Sequence, residues 1–98
     1  MQFAHDSRTV LLVDDDQDIH LIHKVILKKN GFDVISAFSG EEALEKVSES
    51  TPDLIILDFM MPGLNGGEVL SKLKLDSNYI AARDVPVVML TAASTPPA

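Results

Sequence analysis

The residues most able to do chemistry are acids that follow apolar runs: Asp14, Asp15 and Asp16 after Val10-Leu11-Leu12-Val13, and Asp58 after Leu54-Ile55-Ile56-Leu57. A third run, Val87-Val88-Met89-Leu90, ends in the hydroxyl of Thr91. If the first two runs are sheet neighbours, Asp14, Asp15 and Asp58 converge on one pocket, where carboxylates repel one another by roughly 1 to 4 kcal/mol per pair at about 4 Å. Either one of them takes up a proton, or a hard divalent cation binds among the oxygens. Magnesium suits such a set, because it accepts a few carboxylates with water and then favours phosphate oxygens as further ligands. The expected chemistry is phosphoryl transfer. Asp58 would be the in-line nucleophile that forms an acyl phosphate, and Thr91 would donate a hydrogen bond to a phosphoryl oxygen.

Such a pocket requires elements that deliver the acids to it. Each of the three runs is continuously apolar and rich in branched residues, which fits a parallel strand covered on both faces. Turn signals bound them: Thr51-Pro52-Asp53 before the second, Pro62-Gly63 after it, and Asp84-Val85-Pro86 before the third. Between the first two runs, Ile19, Ile22, Val25, Ile26 and Leu27 have the spacing of an amphipathic helix over Ile19 to Asn30, with Gly31 as its stop. Phe32 to Phe38 reads as a strand. Ser39-Gly40-Glu41-Glu42 has the pattern of a capping box ahead of a helix carrying Ala43, Leu44 and Val47. Asn65-Gly66-Gly67 opens another helix, with Val69, Leu70, Leu73 and Leu75 towards one side. The order β-α-β-α-β-α-β predicts an α/β fold, a doubly wound parallel sheet with right-handed crossovers. In such sheets functional groups gather beyond the carboxyl ends of the strands.

With 98 residues there is room for one domain, and 46% hydrophobic against 23% charged residues predicts a packed core. No apolar run approaches the roughly 20 residues that span a bilayer, and the polar start of the chain lacks a signal-peptide pattern, so a cytoplasmic location is expected. The absence of cysteine rules out disulfides and thiolate metal sites. A formal charge of -7 leaves counterion release at nucleic-acid phosphates without a source, so no direct nucleic-acid partner is expected, nor any membrane partner.

Plainer roles compete at several positions. Asp16 stands where it would cap the first helix, and that is favoured over metal binding. His20 and His23, three apart on that helix, read as solvated surface rather than a metal pair. Met60, Met61 and Met89 carry no redox signal by side chain. Gly66-Gly67 matches neither the dinucleotide fingerprint nor the phosphate-loop pattern.

Three ordered segments resemble the signature of bacterial response-regulator receiver domains: Leu11 to Asp16, Leu54 to Gly66 with Asp58-Phe59-Met60-Met61-Pro62-Gly63 at its centre, and Pro86 to Ala92. The resemblance covers Thr9 to about Ala93. It implies a flavodoxin-like strand order, Mg2+ as cofactor, and a histidine kinase or histidine phosphotransfer protein as phosphoryl donor in two-component signalling. By position, it makes Asp58 the phosphoacceptor, Asp15 the main metal ligand with Asp14 assisting, Met60 a metal ligand through its backbone carbonyl, and Thr91 the switch hydroxyl.

The family pattern continues with a further helix, a fifth strand ending in lysine and proline, and a last helix. Here no lysine follows Lys74. The expectation is a C-terminally truncated receiver: an extension over 1–8, the receiver over 9–93 and a tail over 94–98, with α4-β5-α5 absent. An exposed fourth strand then predicts a homodimer or other self-association near Val87 to Leu90. Two other functions are compatible with these residues. One is a receiver-like interaction module that is not regulated by phosphorylation; the other is an aspartate-nucleophile phosphohydrolase using Asp14 and Asp16.

Overall fold

A computed structural model describes residues 8–90. Strands β1 (Arg8–Val13), β2 (Phe32–Ala37), β3 (Leu54–Asp58) and β4 (Val87–Leu90) form one parallel sheet in the order β2-β1-β3-β4. Helices α1 (Gln17–Lys29), α2 (Gly40–Glu49) and α3 (Gly66–Leu75) make the crossovers, and a short 3-10 helix over Ser77–Ala82 precedes β4. The chain moves from β1 to β2 in one direction, then crosses back over β1 to β3. Right-handed connections therefore place α1 on one face and α2 and α3 on the other. This is the doubly wound arrangement that the alternation of elements predicts, with the flavodoxin-like strand order that the family resemblance implies.

Local chemistry explains where the helices begin and end. Asp16 caps α1, its side chain accepting from the Asp18 N–H at 2.8 Å. After Asn30, Gly31 takes φ +89°, a left-handed conformation suited to glycine, while the N–H groups of Asn30 and Gly31 bond to the carbonyls of Leu27 and Lys28. Ser39 accepts from the Glu42 N–H at 3.0 Å, but Glu42 returns its bond to the N–H of Phe38 rather than to that of Ser39. A complete capping box forms instead at α3, between Asn65 and Glu68.

The main core lies on the α2/α3 face. Leu11, Val13, Ile55 and Leu57, alternating along β1 and β3, are covered by Ala43, Leu44, Val47, Val69 and Leu73. Fully burying each such aliphatic side chain stabilises by about 1.5 to 3 kcal/mol. Across the sheet, α1 packs chiefly on β2. Its apolar residues depart from the expectation of a buried stripe: Leu21, Ile22, Val25 and Ile26 are more than half exposed, and the side chain that α1 buries is His20. Helical spacing identifies an apolar face, but only a neighbouring element can cover it, and among the described residues none lies over that part of α1.

The 3-10 segment was not signalled by apolar spacing. Asp76 starts it by accepting from the Asn78 N–H at 2.9 Å. The Lys74 ammonium then donates to the carbonyls of Arg83 at 2.6 Å and Val85 at 3.0 Å, fastening the approach to β4. No helix among the described residues is long and apolar enough to cross a membrane.

Candidate functional site

Strand register builds the site. Val13 lies opposite Leu57 in the β1–β3 ladder, so the next residues, Asp14 and Asp58, emerge side by side at the strand ends. These two strands flank the point where the chain direction across the sheet reverses, which is where open parallel sheets form their ligand crevices. Carboxylate oxygens of Asp14, Asp15 and Asp58 all lie within 4.8 Å of one another. The three acids expected to converge are brought together.

Their environments differ. Asp14 is buried: its N–H continues the ladder to the Ala37 carbonyl at 3.1 Å, and its Oδ1 accepts from the Asp16 N–H at 2.9 Å. Asp15 is exposed and Asp58 half-buried. Burial pushes the Asp58 carboxyl above its usual range, with the charge of Asp14 and, to a smaller extent, that of Asp15 adding to this; the N–H groups of Met60 and Phe59 pull the other way without cancelling it. None of these influences is cationic. A carboxylate held up in this way by burial and like charge is relieved by a bound cation. The donor set fits a hard divalent ion, with three carboxylates crowded on one side and an open approach past Asp15 and Met60 on the other.

The loop after β3 is shaped by close packing. The Met60 N–H donates to Asp58 Oδ1 at 3.3 Å, while its side chain is largely exposed. Gly66 lies so near the strand end that an added Cβ would meet the Asp58 carbonyl oxygen at 2.6 Å and the Phe59 Cα at 2.7 Å. A side chain there would push on the backbone that carries Asp58. Thr91 lies outside the described residues; β4 reaches Leu90, which pairs with Asp58. Asp16 is engaged as the α1 cap, in keeping with the role favoured for it.

His20 is the residue that sequence reasoning misplaced. Expected as solvated surface, it is 3% exposed, with Nε2 at 2.7 Å from the Asp14 carbonyl oxygen, Nδ1 at 3.0 Å from Ser36 Oγ, and its ring 4.2 Å from that of Phe38. The sequence signal was Ser36, a hydroxyl set between the apolar Ile35 and Ala37 near the end of β2, which calls for a polar partner once buried.

Comparison with known proteins agrees with this geometry. The family model described as response regulator receiver domain matches residues 10–98. The alkaline phosphatase synthesis transcriptional regulatory protein PhoP of Bacillus subtilis is 41% identical over 86 residues, covering 88% of this chain and 34% of that protein. The DNA-binding response regulator MtrA of Mycobacterium tuberculosis is 42% identical over 83 residues, or 85% of this chain and 34% of MtrA. Among solved structures, the N-terminal domain of a response regulator receiver protein from Methanoculleus marisnigri superposes with a TM-score of 0.82 at 42% identity, covering 92% of this chain and 71% of that one. A putative response regulator from Chloroflexus aurantiacus gives 0.83 at 31% identity, with 92% and 71% covered. This chain thus spans about a third of the length of the curated relatives it matches. On the family match, these identities and the shared fold, the chain belongs to the response regulator receiver domains of two-component signalling systems.

Proposed function

We propose that this domain accepts a phosphoryl group on Asp58 from a histidine kinase or histidine phosphotransfer protein, with Mg2+ held by Asp14, Asp15, Asp58 and the backbone carbonyl of Met60. The observation that carries this reading is the meeting of three carboxylates from two adjacent strand ends within 4.8 Å. When bound, the ion neutralises charge on the carboxylates and on the incoming phosphoryl oxygens. Asp58 supplies the attacking carboxylate oxygen; Asp14, anchored by Ala37 and Asp16, and Asp15 supply the negative charge that gathers the cation. Thr91 is proposed to donate its hydroxyl to the phosphoryl group. The domain would act as a switch biased by its phosphorylation state rather than as an enzyme with a separate substrate. A cytoplasmic location is proposed with this role.

The expectation of no nucleic-acid partner needs narrowing. MtrA is named as DNA-binding and PhoP as a transcriptional regulator, while this acidic chain matches about a third of each. We propose that the chain itself does not contact DNA, and that any output of that kind belongs to segments beyond those matched. The phosphohydrolase alternative loses support, since Asp16, its general acid, is committed to capping α1.

Incubation with acetyl phosphate and magnesium, followed by intact-mass measurement, tests the reading. One added phosphoryl group is expected, absent in Asp58→Asn. Equal labelling of Asp58→Asn, or no labelling of the wild type at any magnesium concentration, would overturn it.

A further inference from the structure

The His20 imidazole is a buried polar group with no part in the phosphoryl chemistry above, yet both ring nitrogens are engaged. A carbonyl oxygen can only accept, so at 2.7 Å from the Asp14 carbonyl the Nε2 atom carries the proton. In the neutral ring Nδ1 is then the acceptor, and the Ser36 hydroxyl at 3.0 Å donates to it. The Phe38 ring stacks at 4.2 Å with a tilt of 35° and closes the remaining side. The imidazole is held from β2 and in turn holds the backbone where β1 ends.

What it holds is the peptide joining Asp14 to Asp15. The Asp14 N–H is fixed by Ala37 and its carboxylate by the Asp16 N–H, whereas its carbonyl is met by His20. The orientation of that carbonyl sets the plane of the Asp14–Asp15 peptide, and hence the direction in which the Asp15 carboxylate leaves the backbone. Like-charge repulsion among Asp14, Asp15 and Asp58 would favour turning Asp15 away. A buried carbonyl stripped of its donor would reinforce that movement by seeking water.

We propose that His20 is a positioning residue, which through its Nε2–H bond to the Asp14 carbonyl keeps the Asp14–Asp15 peptide oriented so that both carboxylates remain convergent with Asp58. The proposal deepens, and rests on, the magnesium-site reading above. It acts in the way that outer partners orient metal ligands, where loss of such a partner typically costs about 10- to 100-fold in metal affinity.

Three substitutions separate positioning from simple core filling. A glutamine side chain places its amide nitrogen the same number of bonds from Cα as Nε2, asparagine reaches only the Nδ1 position, and leucine fills space without a donor. Two quantities are measured: magnesium affinity by titration calorimetry, and hydrogen exchange of the Asp16 amide in ion-free protein, with denaturant unfolding to show that each variant is folded. His20→Asn and His20→Leu are expected to lose at least about tenfold in magnesium affinity and to exchange Asp16 at least about tenfold faster, while His20→Gln stays near wild type. The proposal is overturned if asparagine and leucine variants keep wild-type exchange and affinity, or if glutamine behaves like leucine. Should His20→Leu not fold, the glutamine and asparagine pair decides. If wild type binds no magnesium but the exchange order holds, the site reading falls while His20's hold on the peptide stands.

Discussion

Asp14 and Asp58 each follow a residue of the Val13–Leu57 pair, so two acids that are 44 positions apart in the chain leave adjacent parallel strands at the same level. With Asp15 they form a set whose mutual repulsion a divalent ion relieves. Replacing Asp15 by asparagine is therefore expected to weaken magnesium binding at least about tenfold, or about 1.4 kcal/mol. In the wild type, magnesium at about 100 times its dissociation constant should add about 2.7 kcal/mol of stability. Calorimetric titration and thermal unfolding with and without the ion check both; an ion affinity unchanged in Asp15→Asn would refute the ligand role.

Burial, with the neighbouring Asp14 and Asp15 charges, raises the Asp58 pKa in the folded state. A raised folded-state pKa means that the native protein binds the proton more tightly than the unfolded chain does. The resulting stability is present below the unfolded-state pKa and is lost as pH rises through the folded-state value. Ion-free protein should thus lose stability as pH climbs from the acidic range through the titration of Asp58, and Asp58→Asn should lose less. Unfolding midpoints of the two proteins across that window decide the matter; parallel curves would contradict it.

Asp16 belongs to the same run of three acids but caps a helix. Asp16→Ala is expected to cost about 0.5 to 2 kcal/mol of stability and to leave Asp58 labelling by acetyl phosphate intact. Loss of labelling with unchanged stability would move Asp16 from cap to site.

At Gly66, a methyl group would press on the Asp58 carbonyl oxygen at 2.6 Å, on the Phe59 Cα at 2.7 Å and on the Met89 sulfur at 2.9 Å. Gly66→Ala should destabilise by about 1 to 3 kcal/mol through overpacking and should slow Asp58 labelling. Gly31→Ala has open space around it but a φ of +89°, so it should cost about 1 to 2 kcal/mol with labelling unaffected. Equal effects of the two on labelling would argue against the packing of Gly66 as the reason.

Among the described residues β4 pairs with β3 alone, which leaves its outer backbone groups free to bond elsewhere. The 98-residue chain is expected to self-associate near Val87 to Leu90 at high concentration. Sedimentation equilibrium showing a monomer throughout would dispose of this prediction.

What the sequence determined by itself was short-ranged. The apolar runs of β1, β3 and β4, the cap at Asp16, the helix start at Asn65-Gly66-Gly67 and the stop at Gly31 rest on hydrogen bonds and conformations within a few residues of one another, and so were legible in order along the chain. The presence of acids at two strand ends was equally plain; their meeting was conditional on β1 and β3 being neighbours. The family resemblance implied that adjacency, but no pattern in the residues themselves did: the tertiary structure decided it, because strand order depends on which crossovers pack together rather than on any local pattern. It also decided that Leu21, Ile22, Val25 and Ile26 stay exposed while His20 is buried, since helical period marks a face but the partner across from it comes from elsewhere in the chain. For His20 that partner is Ser36 together with the Asp14 carbonyl, and a polar residue's burial follows from such partners rather than from its own type.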